Sequence, residues 1–196
     1  MSAAEVVVVP TGTANLASIR AAFRRLGAAV VESLEAERIA QASHVVLPGV
    51  GAFAASIAPL RASGADAALV ARIAADRPTL AVCVGHQLLF ERSDESPGVL
   101  GLGVVPAQVG RFGGDVRIPQ FGWNEVTGEG RLLRSGFAYF ANSYRATEAP
   151  GWTVAMADHG GPFVAAMERG NVLTCQFHPE LSGAYGCDLL AAWLAC

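Results

Sequence analysis

The chain has 196 residues, 52% of them apolar and 16% charged, which suffices for a fully buried centre and is too apolar for a disordered tail. All 14 basic residues are arginines, so Schiff-base catalysis, lysine-anchored pyridoxal phosphate and a lysine-ended phosphate loop are excluded. The formal net charge is -3, and the arginines are scattered from Arg20 to Arg169 without the basic stripe that holds a phosphate backbone, so no nucleic acid is expected as partner.

Val6 to Val9 is a β-branched run without alternation, as in a strand covered on both faces, and it ends in the turn residues Pro10, Thr11 and Gly12. With Glu5 and no cationic start, this opening is not expected to act as a signal peptide. Leu16, Ile19, Phe23 and Leu26 then recur at helical spacing, with Thr13 or Asn15 as cap and Gly27 as stop. Strands are expected at Ala28 to Val31, His44 to Leu47 and Thr79 to Val82, with helical stretches around Glu35, from Phe53 to Ala75, and from His86 to Phe90. From Gly98 the texture changes to short β-prone runs: Val104 to Phe112, Val116 to Ile118, Phe137 to Phe140, Trp152 to Ala155, Phe163 to Glu168 and Val172 to Phe177. A helix from Ala184 to Leu194 closes the chain.

These elements predict an α/β fold: a doubly wound, mostly parallel sheet with helices on both faces and antiparallel hairpins in the second half, residues 1–196 forming one domain. The longest charge-free run, Ile39 to Leu60, is broken by Pro48, Gly49, Gly51 and Pro59, so no membrane span is expected. Cys83, Cys175, Cys187 and Cys196 form no C-x-x-C pair and share no metal-ligand spacing with His44, His86, His159 or His178. They read as reduced thiols of a cytoplasmic protein without a bound metal or cofactor.

Three segments carry chemistry. Thr79 to Val82 runs directly through Cys83 and Val84 into a helical segment, and Ala81 and Gly85 supply the small residues that a nucleophile elbow requires on either side of its reactive side chain. A cysteine in such a turn sits before unpaired helix N–H groups that favour its thiolate, whereas a cysteine outside such a context is ordinarily a small buried apolar residue. Gln176-Phe177-His178-Pro179-Glu180 leaves a strand. There Pro179 pushes His178 towards extended geometry and sets His178 and Glu180 on one side, so that the imidazole takes the proton of Cys83 and the carboxylate holds the imidazole. Alone, His-Pro-Glu is more often a surface turn. The third is Pro48-Gly49-Val50-Gly51, a glycine-bracketed loop able to turn the N–H of Val50 or Gly51 outward. With Val84 N–H it would make the two donors that an acyl-thioester oxyanion needs.

Together the elbow and the late His-x-Glu resemble the class I, triad-type glutamine amidotransferases over nearly the whole chain. Thr11 to Leu16, Pro48 to Gly51, Pro119 to Asn124, Tyr139 to Tyr144 and Gln176 to Glu180 narrow the resemblance to the glutaminase subunits of imidazole glycerol phosphate synthase. The resemblance implies glutamine hydrolysis through a Cys83 thioester, with His178 and Glu180 completing the triad. It implies ammonia transfer to a (β/α)8 barrel cyclase, in a heterodimer, for histidine biosynthesis. It further implies that Gln87 and the main chain at Ser143 and Tyr144 hold the substrate, and that Asn15, Trp123, Asn124 and Tyr139 lie at or near the face shared with the barrel. Trp123 and Tyr139 have the alternative of ordinary core aromatics. The sequence departs from that family at Pro10 (usually Asp), Ala81 (Gly), His86 (Met or Leu), Gln120 and Asn142 (His) and Leu181 (often basic). Two other glutaminase or hydrolase readings compete. The glutaminase of pyridoxal phosphate synthase would need a Gly-Gly-Glu-Ser loop where Pro48 to Gly51 stands, and a DJ-1-type hydrolase would place His directly after the cysteine, where Val84 stands.

Overall fold

The computed structural model describes residues 4–12 and 16–196. The first half runs β1 (Glu5–Val8), α1 (Leu16–Arg25), β2 (Ala29–Glu32), α2 (Ala36–Gln41), β3 (His44–Leu47), α3 (Phe53–Ser63), α4 (Ala65–Ala74), β4 (Thr79–Val82), α5 (Val84–Leu88) and β5 (Phe90–Ser93). The second half adds β6 (Val105–Arg111), β7 (Gln120–Val126), β8 (Gly136–Asn142), β9 (Tyr144–Ala146), β10 (Thr153–Asp158), β11 (Pro162–Arg169), β12 (Val172–Cys175), a 3-10 turn (Pro179–Leu181) and α6 (Gly183–Leu194). Thr13 and Asn15, the expected caps of α1, lie outside the described residues.

Seven strands form the central sheet in the order β10-β11-β12-β4-β3-β1-β2. The five from β12 to β2 are parallel, and β11 and β10 continue the edge antiparallel. The chain moves outward from β1 to β2 and then back across β1 to β3, so right-handed crossovers send α1 to one face and α2 to α4 to the other. Packing agrees: Phe23 of α1 meets Trp193 of α6 edge-on at 5.8 Å, while Arg72 of α4 reaches the carbonyls of Ile39 and Ala42 at the end of α2. β3, β4 and β12 are buried at every position, which is why their sequences are apolar without alternation. A three-stranded sheet, β5-β6-β9, and the ribbon β7-β8 complete the fold.

Four sequence expectations need correction. The stretch Phe53 to Ala75 is two helices, because Gly64 takes a left-handed conformation (φ 74°) that ends α3. The elbow helix stops at Leu88, since Phe90 is drawn into β5 beside β6. Val116 to Ile118 is not a strand, and the final β run ends at Cys175 rather than Phe177. β5, β7 and β9 lie outside the expected strands. β7 carries Gly122 and Asn124, which disguise a strand, yet it pairs along its whole length with β8.

Register decides where the site falls. Leu47 pairs with Ala81 and Cys175 with Val82, so β3, β4 and β12 end side by side at their carboxyl ends. Neighbouring strands lie about 4.8 Å apart, so the three segments singled out from the sequence leave the sheet together.

Candidate active site

Cys83 leaves β4 at φ 54° and ψ -110°, a conformation that non-glycine residues rarely adopt and that costs on the order of 1–3 kcal/mol. Three backbone bonds hold it there. Cys83 N–H donates to the Cys175 carbonyl (2.7 Å), Val84 N–H to the Gly49 carbonyl (3.2 Å), and Gln87 N–H to the Cys83 carbonyl (3.2 Å). A Cβ at Gly85 would lie 2.0 Å from the Leu47 carbonyl oxygen, and one at Gly49 would lie 2.9 Å from Gly85 N. The elbow and the loop after β3 therefore touch backbone to backbone, which only glycine permits.

Opposite the sulfur stands His178, in extended geometry before Pro179. Its main-chain N–H donates to the Tyr139 carbonyl (2.9 Å), which ties the backbone at His178 to β8. Its Nδ1 donates to Glu180 Oε1 at 2.9 Å, both side chains being almost fully buried, and because a carboxylate only accepts, Nε2 is the nitrogen left for Cys83. Burial alone would depress the imidazole, but hydrogen bonds to Cys83 and Glu180 and their negative charge win and push it up to about 10. The site thus favours a proton on His178. Cys175, one residue before the motif, is the contrast: full burial and the charge of Glu180 push its thiol up, keeping it protonated and inert.

Cys83 and His178 open into a pocket of about 440 Å³. Val50, Gly51, Val84, Gln87, Ser143 and Tyr144, every oxyanion and substrate residue expected from the sequence, line it, and Glu180 sits behind His178. The Val84 N–H is not free, however, because the Gly49 carbonyl already accepts it, and Gly51 is held at φ 90°. Gln87 Nε2 donates to the Tyr144 carbonyl (3.2 Å) and to Gln176 Oε1 (2.9 Å). The sequence gives no role to two residues near the sulfur. Glu95 lines the wall and accepts from Phe53 N–H (2.7 Å), while Gln176, fully buried, approaches the sulfur. A buried amide one position past a strand end was the available signal for Gln176. Among the described residues no three His, Cys, Asp or Glu side chains gather as they would around a metal ion.

The ribbon β7-β8 presents aromatics outward: Phe121 (70% exposed), Trp123 (58%) and Phe137 (59%), with Tyr139 between the first two at 5.9 and 6.2 Å. Leu181 of the 3-10 turn is exposed as well. Asn124 lies on the other face of β7 and donates to the Asp158 carbonyl (2.8 Å), and Asn15 lies outside the described residues. Two of the departures from the family pattern pair in space. Gln120 faces Asn142 across the ribbon, and His86, fully buried, puts Nδ1 2.6 Å from Thr174 Oγ1 while burial lowers it to about 3, so it is neutral.

A model of the class-I glutamine amidotransferase family matches residues 7–193. The chain is 38% identical over 188 residues to imidazole glycerol phosphate synthase subunit HisH of Exiguobacterium sibiricum, covering 96% of this chain and 93% of that one. It is 40% identical over 204 residues to the subunit of the same name from Mycolicibacterium paratuberculosis, covering 99% and 98%. It also matches imidazole glycerol phosphate synthase hisHF, chloroplastic, of Arabidopsis thaliana at 39% identity, aligning with 34% of that longer protein. Among solved structures, a crystal structure of a glutamine amidotransferase superposes with a TM-score of 0.78 at 24% identity, covering 97% of both chains. The structure of PurLQS from Thermotoga maritima superposes at 0.74 with 14% identity, covering 99% of both, a likeness of fold alone.

Proposed function

The chain belongs to the class-I glutamine amidotransferases, and on that premise we propose that it is the glutaminase subunit of imidazole glycerol phosphate synthase, residues 1–196 forming one amidotransferase domain. The observation that carries the chemistry is the Cys83 elbow facing a buried His178–Glu180 pair across one pocket. Glutamine enters with its side-chain amide against the sulfur, held by Gln87 and by the main chain of Ser143 and Tyr144. The Cys83 thiolate attacks the amide carbon, forming the C–S bond and an oxyanion. His178 gives its proton to the departing nitrogen, the C–N bond breaks, and ammonia leaves a γ-glutamyl thioester. His178 then takes a proton from water, which attacks the thioester, and glutamate departs as the sulfur is restored.

The oxyanion needs Val84 N–H together with an N–H from Val50 or Gly51. In the resting geometry Gly49 occupies the first, so turnover requires the loop to shift. One missing oxyanion donor typically costs about 100- to 1000-fold, and a partner that shifts the loop population restores it. The partner is a (β/α)8 barrel cyclase, docked on the outward aromatics Phe121, Trp123, Tyr139 and Phe137. Leu181, where a basic residue is usual, makes this face more apolar. β8 also holds His178 through the Tyr139 carbonyl, so docking and catalysis share a strand. Ammonia passes to the barrel for histidine biosynthesis. Four free cysteines fit a cytoplasmic protein, and among the described residues no helix is long and apolar enough to cross a membrane.

The test is a peptide map after treatment with the glutamine analogue 6-diazo-5-oxonorleucine. Labelling at Cys83, protected by glutamine, is expected. A chain that stays unlabelled with and without a cyclase barrel is not a glutaminase.

A further inference from the structure

A run of amide hydrogen bonds leads from the pocket wall to the sulfur. It starts at the Tyr144 carbonyl, a backbone oxygen that can only accept. Gln87 must therefore turn its NH2 towards Tyr144 (3.2 Å), and the same nitrogen donates to Gln176 Oε1 (2.9 Å). With its oxygen committed, Gln176 has only Nε2 to aim at Cys83, and Nε2 lies 3.9 Å from Sγ. Flipping Gln87 would set oxygen against the Tyr144 oxygen, and flipping Gln176 would set NH2 against NH2. Asn142 Nδ2 also donates to the Tyr144 carbonyl (3.0 Å), pinning that oxygen further.

We infer that Gln176 is a positioning residue that donates a hydrogen bond to the Cys83 sulfur, in an orientation fixed by the Tyr144 carbonyl through Gln87. A donor to sulfur favours the thiolate over the thiol, and because Gln176 is fully buried, water cannot replace it. The same bonds spend both amide hydrogens of Gln87 inside the protein, so Gln87 offers the pocket its oxygen, an acceptor for an ammonium or amide group of the substrate. The titratable groups around Cys83 are His178 with Glu180 behind it, Glu95 and Tyr144 on the pocket wall, and the buried Cys175 of β12 and His86 of α5 on the neighbouring turns of chain. All of them remain when Gln176 alone is changed, so a shift in Cys83 ionisation is attributable to the lost donor.

The inference rests on Cys83 as the nucleophile, and its test uses a probe independent of glutamine chemistry. The rate of Cys83 alkylation by iodoacetamide, read by peptide mapping across pH, is compared between the wild-type chain and Gln176→Met, an apolar residue of similar length. The midpoint is expected to rise by about 1 unit, so that alkylation below it slows about tenfold, with kcat for glutamine falling alongside. Should Gln176→Met fail to fold, the wild-type chain labelled with 15N carries the test alone: the assigned side-chain amide protons of Gln176 are expected to move through the Cys83 midpoint. An unchanged midpoint in folded Gln176→Met, or Gln176 amide signals that stay still while Cys83 titrates, overturns the inference. Wild-type labelling by 6-diazo-5-oxonorleucine would persist in that case, which separates failure here from failure of the glutaminase assignment.

Discussion

Gly85→Ala tests how closely the elbow depends on the loop beside it. Gly85 is in α5, where alanine is intrinsically favoured over glycine by about 1 kcal/mol, and no left-handed φ opposes it. Against that, its Cβ would sit 2.0 Å from the Leu47 carbonyl oxygen and 3.0 Å from the carbonyl carbon, both backbone atoms of a buried strand. The oxygen falls about 1.4 Å short of ordinary contact, which begins at 3.4 Å, so α5 and β3 must part by roughly that distance. Overpacking of this kind costs about 1–3 kcal/mol, more than the propensity gain. Because Cys83 moves with α5 while His178 stays tied to the Tyr139 carbonyl of β8, the sulfur is displaced from the imidazole, and a displacement of about 1 Å at the reacting atoms costs roughly 100-fold in rate, which outweighs any release of the Val84 N–H from Gly49. Urea unfolding should show a net loss of up to about 2 kcal/mol, and labelling of Cys83 by 6-diazo-5-oxonorleucine should slow about 100-fold. A variant as stable as the wild type and labelled at its rate would refute the backbone-contact reasoning.

Cys83→Ala is expected to abolish glutamine hydrolysis while the complex still makes product from added ammonia, and turnover within about tenfold of wild type would remove the nucleophile assignment. Glu180→Gln should lose less rate than His178→Ala, since an amide still orients the imidazole without stabilising its charge, and steady-state kinetics that rank the two equally would make Glu180 structural. In the folded chain His178 is pushed from 6.5 up to about 10, so it contributes stability that is fully present below pH 6.5 and lost as pH rises through 10. Urea midpoints of wild type minus His178→Asn should therefore fall across that window, and Glu180→Gln should flatten the fall. Glutaminase turnover should rise at least about 100-fold when the barrel and its ligand bind, and an isolated chain already within a few-fold of the complex would dismiss the loop shift.

Much of the site was legible because the chain writes it locally. Thr79 to Gly85 spells a buried strand and a tight turn around Cys83, and Pro179 forces the geometry that sets His178 against Glu180. Other parts arise only when distant segments meet. The Gly49 carbonyl occupying Val84 N–H, and Gln176 reaching a sulfur 93 residues earlier, follow from the register of β3, β4 and β12, which no local pattern encodes. Between the elbow and the loop after β3, the crowding that demands glycine is at Gly49 and Gly85, which meet only in the fold. β7 is hidden in the sequence because Gly122 and Asn124, residues that strands ordinarily exclude, interrupt it, and only its pairing with β8 makes it a strand.

The most direct measurement supplies the chain and a cyclase barrel with [amide-15N]glutamine in the presence of excess unlabelled ammonia, and reads the imidazole product by mass. Glutamine hydrolysis at Cys83 with transfer across the aromatic face predicts that the product nitrogen is largely 15N despite the competing pool. A product carrying only unlabelled nitrogen, with the glutamine label left in glutamine or lost to bulk ammonia, would contradict it.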